Sequence, residues 1–171
     1  KTKIKIPILC ANMDTTIGEK MAEKLIENGS IPIFHRFTTF EQQQQWVLKF
    51  KSNCYISCGL NKLEQTIELL KLGARGVCID IAHGHSNVMI ELIKNLKSKC
   101  PDKEVIAGNV CTPTAVHDLY NAGADAVKCG VGPGSCCTTR MVTGFGVPQF
   151  TAIQKCATVA KKLKIPLIAD G

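Results

Sequence analysis

Short apolar runs recur along the chain at Ile6 to Cys10, Ile31 to Phe34, Cys54 to Cys58, Gly76 to Ile81, Val105 to Ala107, Ala126 to Cys129 and Pro166 to Ala169. Each reads as a short strand buried on both faces, the pattern of a parallel sheet. Between the runs, apolar residues return at helical spacing, as in Leu63, Ile67 and Leu70, then Met89, Leu92, Ile93 and Leu96, then Ile153, Cys156, Ala157 and Ala160. Gly29, Gly73 and Gly123 follow three helical patterns as stop signals, and Thr38 with Glu41 predicts a capping box ahead of a fourth. Strand and helix therefore alternate from end to end, with no linker or low-complexity tract between them.

Most runs begin roughly 20 to 30 residues after the one before, the length of one βα unit. The interval from about residue 131 to residue 166 is longer, and the excess marks a functional loop. Polar residues collect just after the runs: Asn12-Met13-Asp14, His35-Arg36, Asp80 with His83 and His85, Gly108-Asn109, the loop from Gly130, and Asp170-Gly171. In parallel α/β folds that is the face on which sites are built. So many contributing strand ends favour an α/β fold of the (β/α)8 TIM barrel type over a doubly wound sheet. A complete barrel takes roughly 250 residues. The 171 residues are therefore expected to form a single partial catalytic barrel domain of about seven βα units, truncated after the seventh strand.

Composition narrows the function. The chain is 45% hydrophobic and 20% charged, the balance of a globular core with a charged surface. Its net charge is +7, but the lysines are scattered on helix faces (Lys62, Lys71, Lys94, Lys97, Lys161, Lys162) and few aromatics accompany them. That excludes a nucleic-acid footprint and suits a solvated surface or a small anionic substrate. No apolar run approaches the ~18 residues of a membrane span, and no signal stretch follows the first lysines, so the expected location is cytoplasmic, away from the membrane. The ten cysteines sit in a core-rich chain without a C-x-x-C pair, which predicts reduced thiols rather than a disulfide or zinc scaffold. Cys78, Cys100, Cys129 and Cys156 read as small buried hydrophobes. Trp46 reads as helix-face burial, and the His83/His85 pair as loop packing.

The loop Gly130-Val-Gly-Pro-Gly-Ser135 places glycines where a tight backbone turns its N–H groups toward an anion, with a serine hydroxyl as a further donor. Cys136 and Cys137 follow at once, and Arg140 lies nearby. A thiol beside a bound anion and an arginine is a candidate nucleophile.

Gly130-V-G-P-G-S-C-C-T-T-Arg140 followed by Thr143-G-F-G-V-P-Gln149 resembles the active-site cysteine loop of the IMP dehydrogenase/GMP reductase family. The segments A-N-M-D-T, I-D-I-A-H-G-H-S, A-G-N-V and I-A-D-G resemble that family in the same order. The resemblance implies a purine-nucleotide oxidoreductase on a (β/α)8 barrel, usually a homotetramer, that forms a covalent thioimidate at purine C2 and uses NADPH or NAD. Position by position it implies Cys137 as the nucleophile, Cys136 at a variable position, and Thr139 in proton relay. It places Met13, Asn109, Gly134, Ser135, Asp170 and Gly171 on the purine mononucleotide, with Ser135 on the phosphate and Asp170 on the ribose hydroxyls. Asp80, His83 and Arg140 would meet the nicotinamide cofactor, and Asp80 and Arg36 would also be catalytic, Arg36 standing where many relatives carry lysine. The carbonyls of Gly132, Gly134 and Cys137 correspond to a potassium site. Asp80 and Asn109 also have a plainer reading, as caps of the helices after them.

The first half of the chain resembles reductase forms (A-N-M-D, H-R-F, D-I-A-H-G-H-S), and the stretch from Phe34 to Cys54 has no room for a CBS-module insertion. The stretch from Cys137 to Ile153 is closer to bacterial-type dehydrogenases. The expected reaction is GMP reduction by NADPH, with IMP dehydrogenation by NAD as the alternative and an inactive nucleotide-binding remnant as a third. The family's eighth strand, flap and reaction-specific flap residues are expected to lie beyond Gly171.

Overall fold

The computed structural model describes residues 2–171. They form two compact units, one reaching to Cys78 and including Ser98–Glu104, the other comprising Ile79–Lys97 and Val105–Gly171.

The first unit holds α1 (Glu19–Glu27), β1 (Ile33–Phe34), α2 (Phe40–Phe50), a 3-10 turn at Lys51–Asn53, β2 (Tyr55–Cys58), α3 (Leu63–Leu72) and the start of β3 (Gly76–Asp80). β1 and β2 run parallel, with Ile33 opposite Tyr55 and Phe34 opposite Ile56. Fully buried Phe34 stacks on Trp46 at 4.6 Å and 12°, and Phe50 tilts against it at 5.3 Å. Such ring pairs add to area burial the directional preference of their quadrupoles. Cys54 lies in the same cluster, and burial pushes its thiol up to about 12. At the N-terminal side of β2 and β3, the Glu104 carboxylate accepts from the Thr2 N–H at 2.8 Å and from the Tyr55 hydroxyl.

The second unit holds the end of β3, most of α4 (Asn87–Lys99), most of β4 (Glu104–Val110), α5 (Pro113–Ala122), β5 (Ala126–Cys129), α6 (Thr139–Thr143), α7 (Gln149–Leu163) and β6 (Leu167–Ala169). β4 with β5 and β5 with β6 are parallel. Buried Ala152, Cys156 and Ala160 repeat every fourth residue of α7, a stripe of small side chains that lets α5 pack close with Ala115, Val116, Leu119 and Ala122. Cys129 and Cys156 share a hydrogen bond there, and burial pushes Cys129 up to about 12.

Hydrogen bonding runs β1-β2-β3 in the first unit and β3-β4-β5-β6 in the second. Strand order follows chain order and never doubles back. A doubly wound sheet must reverse at a switch point, whereas the strands of a (β/α) barrel succeed one another in this way.

Two local expectations change. The run Ile6 to Cys10 joins no ladder: Lys5 N–H donates to Gly29 O at 2.7 Å, Ser30 Oγ donates to Ile8 O at 2.5 Å, and Ile8 is 66% exposed. Its backbone groups are held by the turn after α1 instead, so six strands are assigned among the described residues. The cap of α2 is Thr39 rather than Thr38, its side chain accepting from Gln42 N–H at 3.2 Å. The stops after α3 and α5 fall at Gly73 and Gly123, both at positive φ.

Candidate active site

In the second unit the strand ends converge on one group of polar side chains. Asp80 closes β3, and the next residue is locked to β4 by Ile81 N–H to Gly108 O at 3.2 Å and Asn109 N–H to Ile81 O at 2.8 Å. The β4–β5 register is irregular between Ala107 and Val110, where a cis peptide joins Gly108 to Asn109. Here Asn109 Nδ2 donates to Gly130 O at 2.9 Å and to Asp170 Oδ2 at 2.7 Å. Both amide hydrogens face acceptors, which fixes the amide orientation. Oδ1 is left buried and without a hydrogen-bond partner among the described residues. Asn109 is thus a brace between strand ends, not the helix cap of the plainer reading.

Lys128 lies on β5 with only 5% exposure. Its Nζ stands 3.1 Å from Asp170 Oδ2 and 3.6 Å from Asp80 Oδ1. Gln149, at the start of α7, donates through Nε2 to Cys129 O and Asp170 O, each at 3.0 Å, and clips the end of β5 to that of β6.

The long loop leaves β5 at Gly130. It closes through Val147 N–H to Val131 O at 3.0 Å and turns tightly where Cys137 N–H donates to Gly134 O at 3.0 Å. Arg140 lays its stem across two glycines: a Cβ at Gly132 would come within 2.7 Å of Arg140 Cγ, and one at Gly146 within 2.6 Å. Gly171 rests on the same loop, where an added Cβ would sit 3.1 Å from Gly134 N. Ser135 and Cys136 are exposed and Cys137 is half-buried.

The Cys137 thiol is held below the usual cysteine range, first by a hydrogen bond from the Thr139 side chain and then by the Thr139 backbone N–H, with Arg140 adding a favourable charge. Hydrogen bonds to the thiolate stabilise the charged form. Thr139→Val removes the hydroxyl donor and is expected to move the pH profile of iodoacetamide alkylation at Cys137 to higher pH. Superimposed profiles for the two proteins would show that Thr139 does not set this thiol.

The structure brings Asp80, Asn109 and Asp170 together, and sets Gly132, Gly134, Ser135, Cys137, Thr139, Arg140 and Gly171 on or against one loop. His83 is exposed. Its neighbour His85 pairs with Asp118 of α5 at 2.9 Å, and this hydrogen bond holds the Asp118 carboxyl below its ordinary range. In the first unit, Met13 is 47% exposed. Arg36 stacks over the Phe37 ring at 4.7 Å and lines a cavity of about 450 Å³ with Thr38, Ser57, Asn61 and Lys62. Lys128 and Gln149 are the residues that sequence reasoning missed. The available signal was a lone lysine inside an otherwise apolar run, directly ahead of the glycine loop.

Over residues 1–171 the chain matches the family model described as IMP dehydrogenase / GMP reductase domain. It is 46% identical to the GMP reductase of Helicobacter pylori (strain J99), across all of this chain and 54% of that protein. It is 45% identical to the GMP reductase of Enterococcus faecalis, again across the whole chain and 54% of the relative. The inosine-5'-monophosphate dehydrogenase of Chlorobaculum tepidum is 50% identical over 72% of this chain and 25% of its own length. The chain therefore spans about half the length of the curated reductases it matches.

Proposed function

The chain belongs to the IMP dehydrogenase/GMP reductase family, and on that premise we propose that it is part of a catalytic barrel that reduces GMP to IMP through a covalent thioimidate on Cys137. The observation that carries the reading is the half-buried Cys137 thiol, made acidic by Thr139 and set on a glycine loop in the same unit as Asp170 and Asn109.

In this reading the backbone N–H groups near Gly134 and the Ser135 hydroxyl donate to the 5′-phosphate. Asp170 accepts from the ribose hydroxyls, which suits an acceptor-only carboxylate. Gly171, which rests on the same loop, completes these contacts. The Cys137 thiolate adds to purine C2, and Thr139 passes a proton to the departing exocyclic amine, which leaves as ammonia. A nicotinamide held there would supply hydride to C2, and departure of C2 from sulfur would return the Cys137 thiolate. The balance is GMP, NADPH and two protons in, IMP, ammonium and NADP out.

The residues present fit the nicotinamide: the orphaned Asn109 Oδ1 calls for a donor such as a carboxamide N–H, with Asp80, His83 and Arg140 as further contacts. Carbonyls of Gly132, Gly134 and Cys137 are hard oxygen donors that suit potassium. The Gly134 oxygen already accepts the Cys137 N–H and keeps one lone pair for an ion. A homotetramer is part of the same reading.

IMP dehydrogenation is the second reading, favoured by the 50% identical stretch shared with the Chlorobaculum dehydrogenase. The same thiolate would then add to IMP, hydride would leave to NAD, and water would release XMP. The reductase is preferred because its relatives match the chain over its whole length. The test is absorbance at the nicotinamide wavelength with the full-length protein. Loss of signal with GMP and NADPH is expected; a gain with IMP and NAD, and no change with GMP and NADPH, would reverse the assignment. Silence with both pairs would leave a nucleotide-binding remnant.

A further inference from the structure

We propose that Lys128 is a positioning residue that holds the Asp170 and Asp80 carboxylates on one ammonium and so presents Asp170 Oδ1 to the ribose diol of the nucleotide.

A lysine ammonium at 5% exposure within Ala126–Cys129 is costly unless paired. Its partners include the two carboxylates at 3.1 and 3.6 Å. Space for its stem comes from Gly108: a Cβ there would lie 2.5 Å from Lys128 Cβ and 3.0 Å from its carbonyl oxygen. The strand pleat then sends Lys128 to the face on which β3 and β6 end, opposite to Val127 and Cys129.

The division of labour on Asp170 gives Lys128 its role. Lys128 and Asn109 both address Oδ2, so the carboxylate cannot rotate without giving up two donors, one of them charged. Oδ1 is left as the acceptor for a hydroxyl. With the ammonium removed, Asp170 and Asp80 face each other as like charges, and the Asp170 carboxylate keeps the Asn109 amide as its donor. The diol contact is lost, and the phosphate contacts of the loop remain. The inference rests on the reading of Asp170 as the ribose acceptor, and it narrows the ligand class to nucleotides with intact ribose hydroxyls.

Calorimetric titration of the full-length protein with GMP, IMP and their 2′,3′-dideoxy analogues separates the possibilities. Wild type is expected to prefer the ribonucleotides. Lys128→Met is expected to bind them about ten-fold more weakly, the scale of one lost charge-assisted hydrogen bond, while its affinity for the dideoxy analogues stays at the wild-type level. Lys128→Arg, which keeps the charge, is expected to retain the preference; this variant decides the matter if the methionine variant does not fold. Equal losses on both nucleotide types or no loss in Lys128→Met, or loss of the ribonucleotide preference in Lys128→Arg, would overturn the role of Lys128. Failure of wild type to bind any of the nucleotides would instead overturn the reading of the site on which it rests.

Discussion

Cys137→Ala is expected to abolish turnover while leaving purine mononucleotide binding within about three-fold of wild type. The phosphate and ribose contacts of the proposed site come from Gly134, Ser135 and Asp170, none of which depends on the thiol. Chemistry at C2 does depend on it, because Cys137 is the thiol that Thr139 and Arg140 acidify. Loss of a covalent nucleophile typically costs at least about 10⁴-fold in rate. Cys136→Ala, by contrast, is expected to stay within about two-fold, since that side chain is exposed and stands three positions before Thr139. Nicotinamide absorbance and calorimetric titration together read both variants. Equal loss of turnover in the two would place the nucleophile elsewhere, and loss of binding in Cys137→Ala would mean that the thiol shapes the loop.

Gly130→Ala is expected to be the most damaging single methyl group that can be added to this site. At Gly130 φ is +151°, and a Cβ would lie 2.1 Å from the carbonyl oxygen of Asp170 and 3.1 Å from its carbon. Those are backbone atoms of the residue following β6, so no side-chain rotation relieves the clash. The strand end must move, and Asp170, Asn109 and Gln149 are all tied to it. We expect a stability loss of roughly 2 to 4 kcal/mol from overpacking and backbone strain, with nucleotide affinity falling as Asp170 is displaced. Gly144→Ala is the control. Its φ is also positive, at +73°, but nothing lies within 4 Å of an added Cβ, so only the conformational cost of about 1 kcal/mol applies. Urea unfolding monitored by circular dichroism compares the two; equal losses would mean that contact with β6 does not hold Gly130 in place.

The parallel strands were legible because burial on both faces leaves an apolar run whatever lies beside it. Tyr55–Cys58, Gly76–Asp80, Ala126–Cys129 and Leu167–Ala169 all fall inside runs read from the sequence. The run at Ile6 to Cys10 carries the same signal but joins no ladder and is largely exposed, with Ile8 at 66%; its Ile8 carbonyl meets Ser30 in the turn after α1 instead of a neighbouring strand. The cysteine loop was legible through glycine spacing and through resemblance. The carboxylate group beneath it was only half legible. Asp80, Asn109 and Asp170 stand out as polar residues at strand ends, whereas Lys128 sits among apolar neighbours and its partners lie on other strands. Charge pairing across a sheet is non-local, and no spacing along the chain encodes it. Gln149 was visible in its motif, but its role as a clip between two strand ends appears only when both carbonyls it binds are placed.

Burial of the thiols has a practical meaning for chemical labelling. With burial pushing the Cys54 and Cys129 thiols up to about 12, both stay protonated near neutral pH, and only the thiolate reacts readily. Cys111 and Cys156 are raised in the same direction by the same cause. The packing that makes this chain rich in cysteine also silences those thiols, so a mild electrophile meets a protein whose acidified sulfur stands on the loop between β5 and α7. A fluorophore or affinity tag attached there would report on the loop of the folded molecule with the native cysteines in place. Partial unfolding would reveal itself as labelling that spreads to the sulfurs of the core.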